Sequence, residues 1–303
     1  MGEQQWQGEL EQMVSGYEQG RTDLQWYGYD LCVFKQGWGE LVIALDGGQV
    51  LLFRPAGEQP LLWVSDKPAL AGAIRGGVPV CWPWFAEHVD DPSLPKHGVA
   101  RTASWMLDSV EMDAQGGHWR LSPAQTLWDG LSLTLDLKVM EGVLSLSLIS
   151  VNRTDQPIAM TQALHSYFAV SDIAGVELQG LDALPLRDKL QDMAERTHQG
   201  AVTFPAETDV IFAHNSETEV MLIDHGWQRV IGIQKQGSHS TVVWNPGASA
   251  AAMLDVGVDQ VSRFVCVEAA RTRFYDHPWI AAGETQRLTT SFRVLPYPDK
   301  TTD

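Results

Sequence analysis

Residues 131–152 read LSLTLDLKVMEGVLSLSLISVN. Leu131, Leu133, Leu135, Leu137 and Val139 fall on one side of an extended chain, because successive side chains of a strand point to opposite faces. Glu141-Gly142 supplies the turn, and Leu144, Leu146 and Leu148 then resume the alternation with serines between them. The pattern predicts an antiparallel hairpin with one apolar and one wet face. ELVIALDGGQVLLFR, residues 40–54, repeats it with Asp46-Gly47-Gly48 as the turn.

Further strands are predicted at 29–34, 105–111, 118–121, 159–170, 220–223, 230–234, 241–244, 264–267 and 288–294. Helix candidates are few and short: a polar segment around Leu10, and residues 182–190. Strands separated by turn signals, without alternating helices, pack as antiparallel sheets face to face. The expectation is an all-β chain, a large antiparallel β-sandwich with a few short helices. A single β-sandwich domain is expected over residues 1–303, with a short N-terminal extension at about 1–22.

Composition narrows the function. A chain of 303 residues that is 44% hydrophobic and 19% charged buries a large core. Its formal charge of −17 disfavours nucleic acid and anionic membranes, which are bound through basic surfaces. Cys32, Cys81 and Cys266 are widely spaced with no CxxC, so neither a disulfide framework nor a metal site is indicated. The opening MGEQQWQGELEQ is acidic where a secretory signal is basic, and no stretch reaches membrane-spanning length, so a cytoplasmic location is expected. In so acidic a chain, a local cluster of cations is the feature that would mark an anion site.

Five stretches carry candidate chemistry. RGGVPVCWPWFAE, 75–87, places Arg75 beside Gly76-Gly77 and the aromatic faces of Trp82 and Trp84. An arginine fork suits phosphate oxygens and bare backbone allows close approach, although a tight turn over core aromatics reads the same way. SLPKHGVARTASW, 93–105, crowds Lys96, His97 and Arg101, which repel one another unless an anion or acids lie between. In AMTQALHSYFAV, His165 shares a face with Ala163 and Tyr167, opposite Leu164, Ser166 and Phe168. Glu268 in RFVCVEAAR and Asp209 in PAETDVIF are carboxylates among apolar neighbours. Each has a structural reading too: a hydrogen-bonded core histidine, a carboxylate at the wet end of a strand or paired with Arg263 or Arg271, a capped turn.

In this order, RGGVPVCWPWFA, LPKHGVAR, LHSYFAV with SDI, ETDVIF, VWNPG and FVCVEAAR resemble the aldose 1-epimerase superfamily and its hexose-6-phosphate mutarotase branch. The resemblance runs from about Arg75 to Arg271. It implies a galactose mutarotase-like supersandwich with the sugar in a groove on one sheet. It also implies His165 as general acid, Glu268 as general base, Arg75 and Arg101 on the 6-phosphate, Asp209 on sugar hydroxyls and His97 lining the site. Lys96 is a candidate further contact to the phosphate.

Interconverting anomers requires a base at the C1 hydroxyl, an acid at the ring oxygen, rotation about C1–C2 and reclosure. Ordinary values near 4.3 for Glu and 6.5 for His place an ionised Glu268 beside a chargeable His165. The expectation is a cofactor-independent enzyme, a monomer, whose partner is a hexose 6-phosphate, glucose 6-phosphate foremost. Arg75 and the Gly76-Gly77 backbone would receive the phosphate, and Trp82 or Trp84 would wall the sugar. Two other classes fit parts of the sequence. A non-catalytic carbohydrate or sugar-phosphate binding module has no use for His165 and Glu268 together, and a glycosidase would pair Glu268 with Asp209.

Overall fold

The computed structural model describes residues 8–70, 72–214 and 219–298. The hairpin that opened the sequence reading is strand Leu131–Met140 against Val143–Asn152, with Met140 opposite Val143 and Leu131 opposite Asn152. Glu141 and Gly142 both take positive φ, 52° and 75°, which matches the twist of a two-residue hairpin. Leu131, Leu133, Leu135, Leu137, Val139, Leu144, Leu146 and Leu148 are all buried in one core. Each such side chain contributes about 1.5–3 kcal/mol by leaving water. On the wet face Ser145 and Ser147 pair with Ser291 and Thr289, each at 2.8 Å.

This hairpin sits inside a nine-stranded antiparallel sheet that also holds Val220–Asp224, Arg229–Gln236 and Thr285–Leu295. An eight-stranded sheet faces it, built around Gln162–Leu164, Tyr167–Ala169, Thr208–Ala213, Ser240–Asn245 and Phe264–Arg271. One core takes Leu135, Leu146 and Phe292 from the first sheet and Leu164, Phe168, Phe212, Val243 and Val267 from the second. The all-β sandwich follows from the alternation, as expected. A third, four-stranded sheet, Gly20–Trp26 to Gln49–Pro55, contains the 40–54 hairpin.

Residues 1–7 of the expected N-terminal extension lie outside the described residues. Beyond them, helix Glu9–Ser15 packs Leu10 and Val14 against Trp26, Tyr29 and Leu31 of the four-stranded sheet. The predicted helix at 182–190 is not formed: Pro185–Asp188 is a strand, followed by a single 3-10 turn, Lys189–Gln191. Pro185 biases the residue before it toward extended backbone, and Leu184 and Leu186 face the core there at the two-residue spacing of a strand, not at that of a helical stripe. The expected strand 159–170 is divided into Ile158–Ala159, Gln162–Leu164 and Tyr167–Ala169. Among the described residues no helix is long and apolar enough to cross a membrane.

Candidate active site

Alternation on the eight-stranded sheet builds the site. Leu164 and Phe168 point into the sandwich, while Ala163, His165 and Tyr167 point the other way. Leu164 lies opposite Ala269, and Tyr167 opposite Cys266. The register is unbroken between them, so His165 stands across from Glu268 although the strand is interrupted at His165 and Ser166. Glu268 is paired on its other side with Val242.

The side chains meet: His165 Nε2 lies 3.4 Å from Glu268 Oε1. The imidazole is 9% exposed and the carboxyl 1%. His165 Nδ1 and Glu268 Oε2 are buried with no hydrogen-bond partner among the described residues. Buried polar atoms are seldom left so, and a ligand bearing hydroxyls would satisfy them.

The remaining expected residues gather around this pair. His97 approaches His165 edge-on, 5.7 Å between ring centroids. Its backbone, at φ 69°, is locked by a bond from its N–H to the Ala86 carbonyl at 2.8 Å, while the Ala86 N–H donates to Nδ1 at 3.3 Å. Nδ1 therefore accepts, and Nε2 carries the proton that can be donated. Burial, then Arg101, Lys96, Lys189 and Arg75, push His97 down to about 2, so it is a neutral donor. Asp209 lies 2.8 Å from the Lys189 ammonium.

Arg75 donates from Nε to Asp255 at 2.8 Å and from Nη1 to the Tyr167 hydroxyl at 3.0 Å. Arg101, in the turn Ala100–Thr102, donates to the Lys96 carbonyl at 2.7 Å. Lys96 lies 3.6 Å from Glu87 and is the most exposed of these cations. Arg75, Lys96 and Lys189 each have a carboxylate beside them. Arg101 has none among the described residues, which leaves it the cation with most to gain from an anion.

The electrostatics reverse the order taken from ordinary values. Burial first, then the charges of His97, Arg75, Arg101 and Lys189, hold His165 well below its usual range. Burial raises Glu268 well above its own, opposed by Lys189 and Lys96 and reinforced by Asp209. Both shifts favour the neutral forms in the free site, imidazole beside carboxylic acid. That form and imidazolium beside carboxylate hold the same number of protons, so titration belongs to the pair rather than to either residue. An anion among the cations shifts the balance toward imidazolium and carboxylate.

Two expectations need correction. Gly76 and Gly77, at φ 113° and 60°, serve chain packing rather than a ligand. A Cβ on Gly77 would overlap the Val50 carbonyl and Leu51 Cα, and the Gly77 N–H is spent on the Trp63 carbonyl at 2.7 Å. Trp82 is a core residue whose Nε1 donates to Ser150 at 3.0 Å, and its bond to Pro83 is cis. Trp84 lines a cavity of about 370 Å³ with Phe85, Trp128, Lys189 and Phe274. That cavity borders the site across Phe85 and Lys189 and does not include His165 or Glu268. The rings beside the His165–Glu268 pair are Tyr167 and Trp244, with Phe85 against His97.

Lys189, Tyr167 and Asp255 were not singled out from sequence. Lys189 rides on the turn that Asp188 caps through a bond from the Leu190 N–H at 3.0 Å, and its ammonium sits 5.6 Å from the Phe85 ring centroid. Tyr167 alone had a signal, its two-residue spacing from His165. Because Lys189 depresses both members of the pair, Lys189→Met is expected to move both limbs of the kcat/KM–pH profile for sugar anomerisation to higher pH. An unmoved profile would show that its charge does not reach them.

Comparison with known proteins identifies the family of the fold that carries these residues. The family model described as Aldose 1-epimerase matches residues 30–293. A protein of Escherichia coli (strain K12) named "Putative glucose-6-phosphate 1-epimerase" is 34% identical over 279 residues, covering 86% of each chain. One of the same name from Salmonella typhimurium is 34% identical over 258 residues, covering 79% of this chain and 82% of its own. The crystal structure of "a putative mutarotase (YeaD) from Salmonella typhimurium" superposes with a TM-score of 0.82 at 31% identity, covering 91% of this chain and 94% of that one. A β-sandwich carrying a histidine and a glutamate in contact on one sheet face, matched over nearly its whole length by one family, is thereby placed: the chain belongs to the aldose 1-epimerase family.

Proposed function

We propose that this protein interconverts the α and β anomers of a hexose 6-phosphate, with glucose 6-phosphate the foremost candidate. The observation that carries the reading is the 3.4 Å approach of His165 to Glu268 inside a ring of cations. The phosphate sits between Arg101 and Arg75, and this fixes the substrate by the end remote from C1. Asp209, held by Lys189, and the His97 Nε2–H address ring hydroxyls.

Phosphate charge offsets the cationic field on His165 and favours the imidazolium–carboxylate form of the pair. Glu268 then takes the C1–OH proton while His165 protonates the ring oxygen, which opens the hemiacetal to the aldehyde. After rotation about C1–C2 the two residues exchange roles: His165 removes the proton from the C5 hydroxyl as it attacks the other carbonyl face, and Glu268 returns a proton to O1. The pair ends with the protons it began with. Acid–base steps of this kind each supply roughly 10²- to 10⁴-fold.

The test is magnetisation transfer between the two anomers of glucose 6-phosphate in NMR; an exchange rate that the protein leaves unchanged rejects the reading. Arg75→Ala is expected to weaken glucose 6-phosphate relative to glucose by about 1.5–3 kcal/mol, or roughly 10- to 150-fold. Equal losses for the two sugars would show that Arg75 does not hold the phosphate.

A further inference from the structure

One side chain joins the cationic end of the site to its acid–base pair. The Tyr167 hydroxyl accepts from Arg75 Nη1 at 3.0 Å, and its ring lies parallel to the His165 imidazole, with 4.8 Å between centroids and 10° between planes. Arg75 is held at its other end by Asp255 through Nε, and no protein atom among the described residues accepts from its Nη2. Trp63 stacks on Tyr167 at 5.9 Å, Phe264 lies at 5.3 Å, and Trp244 presents an edge to both Tyr167 and His165 at 6.0 Å. In so close-packed a cage a displacement of the phenol is passed on to its neighbours, since a packed interior has little free volume to absorb it.

We propose that Tyr167 is a positioning residue that couples capture of the 6-phosphate at Arg75 to the seating of the His165 imidazole against Glu268. The inference rests on the reading of Arg75 as a phosphate ligand. A phosphate engaging the open side of the guanidinium pulls on the hydroxyl bonded to Nη1, and the phenol ring carries that pull to the imidazole stacked on it. An unphosphorylated aldose reaches the same acid and base without this adjustment. The phosphate then contributes to the chemical step as well as to binding, the way remote binding energy raises kcat rather than only lowering KM.

The experiment measures kcat and KM for anomer exchange of glucose 6-phosphate and of glucose, using the full chain and its Tyr167→Phe, Arg75→Ala and doubly substituted variants. Tyr167→Phe keeps the ring and its stack and deletes only the hydroxyl. It is expected to lower kcat for glucose 6-phosphate about 10-fold, with KM within about 3-fold, and to lower the ratio of the two sugars' kcat values by a similar factor. In the doubly substituted protein kcat should fall no more than about 2-fold below that of Arg75→Ala alone, because both changes break one linkage.

Independent multiplication of the two effects, or a Tyr167→Phe loss shared equally by both sugars, overturns the proposal while leaving the anomerase reading intact. A full chain that accelerates neither exchange overturns both. Arg75→Lys gives a second route should Tyr167→Phe not fold: an ammonium still attracts phosphate but lacks the fork that reaches the hydroxyl at the same time. Loss of the kcat ratio in that variant supports the coupling, and an unchanged ratio refutes it.

Discussion

Glu268→Gln is expected to slow anomer exchange of glucose 6-phosphate by about 10³-fold or more, near the upper part of the range for loss of a general base. The amide has the shape of the carboxyl but cannot accept the C1–OH proton, so sugar-phosphate binding should remain measurable. A variant with nearly full activity would remove Glu268 from the mechanism. Stability provides an independent readout. The folded protein holds Glu268 above its ordinary value, chiefly through burial. Its contribution is therefore complete at pH below that ordinary value and is lost as pH rises through the elevated one. Glu268→Gln has no such loss, so its melting temperature should gain on the wild type as pH increases. A difference that stays constant with pH would mean that the carboxyl is solvated.

His165→Ala should cost about 10²- to 10³-fold in the same exchange, and added imidazole should restore part of it by entering the space vacated next to Glu268. Normal turnover would remove the acid, and failure of imidazole to help would point to a structural role. The pH dependence gives a further sign. Burial and the surrounding cations hold His165 below 6.5 in the free protein, so its share of stability is present above 6.5 and is lost as pH falls through the lowered value. A bound phosphate dianion cancels part of that field. The kcat profile for glucose 6-phosphate, which reports the complex, should therefore lie at higher pH than the kcat/KM profile, which reports the free protein. For glucose the two profiles should lie closer together.

The strands were legible because alternation is a local property. The hairpin at 131–152 formed with the faces and turn expected of it, whereas that at 40–54 kept its turn but has no wet face: Leu41 and Ile43 enter the main core, and Val42 and Ala44 are buried on the other side with Leu10 and Val14 of the N-terminal helix. Short elements were less legible. Pro185–Asp188 adds a single fully apolar residue to the core and takes its strand character from neighbours on both sides, at Ala194–Thr197 and Thr208–Ala213. The two glycines after Arg75 announced a constrained backbone without saying what constrained it, and the answer was the chain at Val50–Leu51 and Trp63–Val64. Tryptophans 82 and 84 announced buried aromatic surface, and only the strand they follow determined which side of the sheet each would occupy.

Sequence by itself determined that this chain is an antiparallel sandwich, that His165 and Tyr167 share a face, and that any anion site must be built against a strongly negative background. These follow from a period of two and from counting charges, neither of which depends on distant contacts. Tertiary structure decided what faces what: Glu268 across from His165, Lys189 against Asp209, and Asp255 on Arg75. It also decided protonation. Desolvation and the converging fields of side chains far apart in the chain are set by the fold, and they moved the histidine and the glutamate in directions that no local reading contains.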